Sequence, residues 1–328
     1  MRAPYVMQSA ASFERQLPLK TNVAVTYANS HGLHQLRSED INAPLPGSGI
    51  FPRGTTSPIF LMESSGLFNQ NQVITNVTSR MSAKISLFGY YVYNRAMSNT
   101  DGLNTFPANP YNFAGEYSAA ATDIHHRVSA GGSIDLRWRI RISPLFTATS
   151  GPPFDITAGR DIYGDTLFNG RPGIATDPGK PGLIETKYGL LDPNPTPDEK
   201  ILPRNFGRGP GTVMLNLRIG KTFTFGSLRE GAGGSAGGGD RRNTPGVFGT
   251  GGGPGSSTVS GDRRYALAFT AAFRNILNHT NPGPIIGDIT SPLFGQANQT
   301  AGATSVGGTN FLENANNRRL ELQARFTF

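Results

Sequence analysis

The sequence contains no cysteine, which excludes disulfide scaffolds, thiol nucleophiles and thiolate metal sites. Hydrophobic residues are sparse, at 37% of 328, and no stretch reaches the roughly 18 to 20 continuous apolar residues of a membrane helix. The first ten residues, Met1-Arg-Ala-Pro-Tyr-Val-Met-Gln-Ser-Ala10, have neither the apolar core nor the small-residue cleavage site of a secretory signal. The formal net charge is +8, yet no basic stripe forms. Arg137, Arg139, Arg141, Arg241, Arg242, Arg263, Arg264, Arg318 and Arg319 fall at turns and strand ends, so no nucleic-acid partner is expected. No serine sits in a nucleophile elbow and the carboxylates are dispersed, so no enzyme is expected either.

Turn formers are plentiful, with 42 Gly and 24 Pro, and between them side chains alternate with a period of two. The end of the chain is the clearest case. Leu320, Leu322, Ala324, Phe326 and Phe328 share one parity, and Arg319, Glu321, Gln323, Arg325 and Thr327 the other, giving one face for lipid and one for water. Eight further segments alternate over about the nine to eleven residues of a tilted membrane strand. They fall near 4–14, 19–29, 72–80, 83–95, two meeting at Arg139, 211–225 and 263–278. On the apolar parity lie Thr21, Val23, Val25 and Tyr27; Val73 and Val77; Ile85, Leu87, Tyr91 and Tyr93; Val128, Ala130 and Ile134; and Val213, Leu215, Leu217, Ile219, Phe223 and Phe225. Trp138 falls at a strand end, where an aromatic girdle lies. Lys221 is the one charge on the apolar parity of its strand and can snorkel to an interface.

The connections alternate short and long. Tight turns are expected at 16–18, near Met81 and near Ile140, and long loops over 30–71, 96–125 and 151–210. That asymmetry belongs to outer-membrane barrels, whose long loops are extracellular. Residues 226–262 are Gly/Ser-rich and read as a flexible insertion, since so few apolar side chains cannot organise a core. No helix follows them, so they are no phosphate-binding loop. If the closing strand descends to the periplasm, counting back makes the first of the nine descend as well. A single-chain barrel starts upward and has an even strand number. The expected fold is therefore all-β, an antiparallel transmembrane β-barrel that is incomplete, spanning residues 1–328 as the C-terminal piece of a longer protein. A surface β-sandwich adhesin or carbohydrate- or protein-binding module is the alternative that alternation alone leaves open.

Several stretches carry a family likeness: Leu33-His-Gln-Leu-Arg-Ser-Glu-Asp-Ile-Asn-Ala-Pro-Leu-Pro-Gly47, Gly66-Leu-Phe-Asn-Gln-Asn-Gln72, Phe106-Pro-Ala-Asn-Pro-Tyr111, Ser150-Gly-Pro-Pro-Phe-Asp-Ile-Thr157, Pro203-Arg-Asn-Phe-Gly207, Asn275-Ile-Leu-Asn-His-Thr-Asn281 and the closing strand. The chain resembles the C-terminal barrel portion of TonB-dependent outer-membrane receptors, in particular Oar-like receptors with an N-terminal carboxypeptidase-regulatory-like domain. The resemblance implies the last nine of about twenty-two strands, in the outer membrane of a Gram-negative cell. It also implies active uptake of a scarce nutrient, with no cofactor. The plug and the energy-coupling box that contacts TonB are absent from these residues. Implied partners are outer-membrane lipid and lipopolysaccharide, the barrel-assembly machinery through Phe328, TonB only through the missing N-terminal part, and a small nutrient.

Candidate ligand contacts lie in the expected loops. Asp161, Asp165 and Asn169 recur every four residues in a glycine-bearing loop. Their oxygens suit either a cation or Asx-type turns that cap the loop, although Tyr163 sits where a calcium loop wants an oxygen. His125 and His126 are adjacent, so in a strand they point to opposite faces; with His31, His34 and His279 they read as solvated loop histidines, and no metal is assigned. Tyr90, Tyr91, Tyr93 and Tyr111 flank long loops, where either girdle or ligand contact suits an aromatic.

Overall fold

The computed structural model describes residues 1–46, 48–196, 199–228, 263–301 and 317–328. Nine long strands follow one another across a single antiparallel sheet: β1 (Tyr5–Leu17), β2 (Thr21–Asp40), β3 (Phe60–Ser82), β4 (Ile85–Ser98), β6 (His126–Asp135), β7 (Ile140–Thr149), β13 (Thr212–Leu228), β14 (Arg263–Arg274) and β15 (Arg319–Thr327). The short β5 (Ser118–Ala119) adds to β4, and five more short strands lie in the loops: β8 (Pro153–Phe154), β9 (Gly173–Ile174), β10 (Ile184–Thr186), β11 (Gly189–Asp192) and β12 (Gly207–Arg208). Each of the nine expected segments is a strand. Strand follows strand in chain order within one sheet, so no pair of packed sheets forms and the sandwich alternative falls.

Register shows why the alternation was readable. One row runs Phe13, Val25, Thr75, Tyr91, Val128, Ala148, Val213 across seven strands. Another runs Ile85, Ile134, Ile142, Ile219, Ala271, Leu322 across six. The intervening rows are mostly polar or small, with Ser12, Thr26, Asn76, Ser129, Thr147, Asn216, Thr270 and Gln323, and hold the apolar Ile74, Phe88, Val92 and Leu145 as exceptions. A one-residue slip anywhere would exchange the two faces, and through the membrane-spanning rows none occurs. One face is thus apolar and the other polar, as a lipid-facing exterior and a wet lumen require.

The strands are also staggered. The row that closes the β1–β2 turn passes through Leu17, Thr21, Ser79, Leu87 and Gly132 and by register reaches Leu217, whereas the β13–β14 pairing continues down to Phe225 and Leu228. The turn ends therefore step down by about eight to eleven residues over six strand spacings, which at about 3.3 Å per residue and 4.8 Å per spacing is an inclination of roughly 40–50°. Barrel staves tilt by roughly 35–45°. β1 and β15 each pair along one edge only, so the sheet is an open wall and not a closed ring.

Three of the four connections at the lower edge are tight, and the β13–β14 connection, 229–262, is the exception. Pro18-Leu19-Lys20 and Arg137-Trp138-Arg139 each reverse the chain in three residues, with positive φ at Leu19 (62°), Lys20 (52°), Trp138 (61°) and Arg139 (57°). By the barrel asymmetry this short-turn edge is periplasmic.

At the other edge the expected boundaries need correction. β2 and β3 run 20 and 23 residues, so the long loop expected at 30–71 shrinks to 41–59. Above the row Tyr27, Val73, Tyr93, His126 the alternation is lost and polar pairs intrude among apolar side chains: Asn29 and Tyr27 both bond Asn71 (2.9 and 2.7 Å), and Arg37 pairs with Glu63 (2.5 Å). The hairpin goes on past the alternating rows, and its apolar residues there, such as Phe60-Leu61-Met62, follow no period of two. It carries ladder irregularities between Gly32 and Arg37. The eighth strand stops at Arg274 instead of reaching residue 278, because Asn275 and Asn278 take positive φ (45° and 52°). β13 reaches Leu228, past the expected start of the Gly-rich insertion; the rest of that insertion, 229–262, lies outside the described residues.

Among the described residues, Val92, Ala96 and Ala266 are buried within the sheet, but the buried hydrophobic cluster lies outside it. Ile156, Leu191, Leu202 and Ile289, all in extracellular loops, form the buried cluster, flanked by Phe154, Ile184, Tyr188 and Phe294. The sheet's own apolar side chains, such as Leu322, Phe269 and Phe326, are exposed, since their partner is lipid.

Candidate functional site: the extracellular loop layer

Loops 99–125, 150–211 and 275–301 fold together over the upper rim. Two stretches that carry the family likeness pair directly: Gly207 and Arg208 of β12 lie against Phe154 and Pro153 of β8. A Cβ at Gly207 would meet the Phe154 ring at 2.5 Å, so only glycine lets that ring lie on the backbone. The Asn-rich stretch has a comparable task. Asn275 accepts from and donates to the His279 backbone (3.2 and 2.9 Å), while Asn281 accepts from the Val213 amide (2.7 Å). Both asparagines are fully buried and satisfy backbone groups left over where β13 and β14 end.

Arg204 is the centre of the layer. It is 1% exposed and donates to the Asp101 carboxylate, the Ser98 carbonyl and the Glu116 carbonyl. The next residue, Asn205, donates its amide to Asp155 (2.7 Å) and its side chain to Asp101 and the Ala119 carbonyl (both 2.9 Å). Two consecutive residues therefore fasten the longest loop to the top of β4 and to loop 99–125. A second buried pair, Arg171 with Glu116, lies beside them. A third joins Arg208 to Asp123, which also accepts from the Ala96 amide (2.7 Å) and lies 3.0 Å from His125 Nε2.

The two aspartates shift in opposite directions. Burial pushes the Asp123 carboxyl up, but the Arg208 hydrogen bond, the Ala96 amide and the charges of Arg208 and His125 outweigh it and hold the group below the ordinary carboxylate range. Burial likewise raises Asp155, and there the Asn205 amide and the more distant Arg171 and Arg204 do not compensate, so it stays above that range.

The five candidate contacts spread across this layer. Asp161 spends both oxygens on loop amides, accepting from Gly164 (2.7 Å), Asp165 (3.1 Å) and Thr166 (3.0 Å), which is Asx-turn geometry. Asp165 is buried, accepts the Leu167 amide (3.0 Å) and leaves Oδ2 without a hydrogen bond; burial, with Asp161 and Asp40 nearby, raises its carboxyl. Asn169 donates to the Phe106 and Pro107 carbonyls (3.2 and 3.0 Å). Among the described residues no three of His, Asp and Glu are set to hold a metal.

His125 and His126 diverge. His125 joins Asp123 and Arg208, whereas His126 stacks on Tyr91, whose hydroxyl lies 2.9 Å from Nδ1. Tyr111 hydrogen-bonds the Ala43 carbonyl and keeps its ring at the surface. Phe113 and Tyr117 of the same loop, and Phe168 and Phe206 of loop 150–211, are also exposed.

Sequence reasoning missed the arginine network. Its one visible signal was Pro203-Arg-Asn-Phe-Gly207 inside a loop, and the partners Asp101, Glu116 and Asp123 lie about 80 to 100 positions away, beyond any local pattern.

A tilted strand wall with an apolar exterior, a polar lumen face and long loops on one side defines an integral outer-membrane β-barrel. Residues 1–230 match the family model described as outer membrane beta barrel domain, and the chain belongs to that family. Among solved structures it is similar to the outer membrane transporter YddB from Escherichia coli, at 9% identity and a TM-score of 0.45, over 99% of this chain and 32% of that one. The chain thus spans about a third of that structure's length. No curated protein matches.

Proposed function

We propose that this chain forms the C-terminal wall of the barrel of a TonB-dependent, Oar-like outer-membrane receptor that takes up a scarce nutrient. Its plug and energy-coupling box would be supplied by sequence beyond these residues. The observation that carries the reading is the pairing of a tilted, two-faced strand wall with a loop layer that has its own buried core and presents exposed aromatics. A passive wall has no need of a rigid cap; a receptor that captures a dilute solute benefits from a preorganised one. In this reading Tyr111, with other exposed aromatics of the loop layer, and His125 contact the nutrient. Asp165, whose unspent oxygen is buried, acts from beneath that surface, and Asp161 and Asn169 shape the loop that holds it. Lipid and lipopolysaccharide surround the exterior, the barrel-assembly machinery takes hold of the strand ending in Phe328, and TonB acts through the plug.

The test is energy dependence. In cells expressing the intact receptor, collapsing the inner-membrane proton gradient should abolish nutrient accumulation and leave surface binding intact. Accumulation that persists without the gradient would refute the TonB-dependent reading.

A further inference from the structure

We propose that the periplasmic rim of the wall is a collar that binds the headgroups of anionic phospholipids. The two ends of the wall handle charge differently. In the loop layer cations sit against carboxylates, as in Arg171 with Glu116, Arg204 with Asp101, Arg208 with Asp123 and Lys180 with Asp192. At the short-turn edge Arg15, Lys20, Lys84, Arg137, Lys221 and Arg263 lie in turns or on the lipid-facing parity, and none of them forms an ion pair among the described residues. Among the described residues the side-chain carboxylates at this edge are Glu14 and Asp135, both on the lumen parity; Glu14 accepts from Asn22 (2.7 Å) and Asp135 is taken by Arg141 (2.6 and 2.9 Å).

Aromatics interleave with these cations. Trp138 is 80% exposed, and its left-handed backbone, a region bulky residues avoid, carries it outside the strand ladder together with Leu19 in the equivalent turn. Phe225, Tyr265, Phe326 and Phe328 stack at centroid distances of 5.8 to 6.2 Å on the lipid-facing parity. Lys221 lies over the Phe223 ring (4.8 Å). Rings of this kind settle at the headgroup level, and long basic side chains there reach up to phosphate. Six cations that form no ion pair among the described residues favour a headgroup with net negative charge over a zwitterion.

The chain's only tryptophan is the reporter. The full chain is reconstituted into bilayers containing equal small fractions of brominated phosphatidylglycerol or brominated phosphatidylcholine, and quenching of Trp138 is compared. Quenching by the anionic lipid should be stronger by about fivefold in apparent affinity and should fade as salt rises from about 0.05 to 0.5 M. The K20E/K84E/R137E variant should lose the preference and keep the blue-shifted emission of an interfacial indole. The wild-type salt series keeps the test decisive should that variant misfold. Equal quenching by both lipids, a preference indifferent to salt, or aqueous emission from Trp138 in every bilayer would each overturn the collar.

Discussion

The strand wall and the loop layer solve opposite problems with the same chain. In the wall, large apolar side chains such as Leu322, Phe269 and Phe326 stay exposed and the backbone between β1 and β15 is satisfied by the ladder, because hydrocarbon cannot hydrogen-bond a free amide. In the loop layer, Arg204, Arg171, Glu116 and Asp123 are buried, because surrounding water permits a compact cap only if each charge taken inside meets a partner. The solvent decides which residue type is hidden, and hydrophobicity alone does not locate the core of such a protein.

The largest effect that would break this contrast is the loss of Arg204. Arg204→Ala leaves Asp101 and the Ser98 and Glu116 carbonyls without their donor and should destabilise the loop layer by about 3–5 kcal/mol. Proteolysis or hydrogen exchange of 150–211 should report it, while heat-modifiable migration on unboiled gels, a property of the wall, persists.

The matching experiment on the wall is Ile219→Arg, which puts a charge on the lipid-facing isoleucine row and should cost about 2–4 kcal/mol of insertion stability. Thr222→Arg, on the lumen parity, should cost little. Equal losses in a bilayer-folding titration would erase the distinction between the two faces.

Asp155 and Asp123 sharpen the comparison through pH. The raised Asp155 favours the folded layer only while protonated, and that contribution fades as pH climbs through its folded value. Asp155→Asn keeps an acceptor for the Asn205 amide and should be more stable than the parent at neutral pH, the gap closing in acid. Lowered Asp123 has the other sign: its contribution is present above the ordinary carboxylate value and fades as pH falls through the folded one. Asp123→Asn should therefore weaken the layer at neutral pH, again with the gap closing in acid. Loop proteolysis across pH 3 to 7 measures both.

The smallest change expected is Arg141→Ala. Its pair with Asp135 is largely exposed, and surface pairs contribute about 0–1 kcal/mol. A loss above that range in the folding titration would mean that the lumen face is drier than drawn here.

Much of the wall was legible in the sequence because lipid imposes a period of two on each strand it touches. Val213 to Phe225 and Leu320 to Phe328 declared both their conformation and their faces. Legibility ended where the lipid does. The upper parts of β2 and β3, with Gln35, Arg37, Glu39 and Glu63, are strand without an apolar rhythm, and were expected as loop. The candidate site was legible only as single residues. The four-residue spacing of Asp161, Asp165 and Asn169 pointed to two chemistries, and the three amides on Asp161 are turn geometry. Arg204 and its acceptors, joined across about a hundred positions, left no local trace.

The central claim is the sorting of side chains by parity, and the absence of native cysteine makes it directly measurable. Single cysteines at Leu215, Leu217, Phe269 and Leu322, and at the lumen-parity positions Asn216, Thr270 and Gln323, would carry an environment-sensitive label in reconstituted bilayers. The first four should report hydrocarbon and the last three water, alternating residue by residue along β13. Aqueous signals from Leu215 and Leu217, or no alternation between them and Asn216, would contradict a membrane-spanning wall.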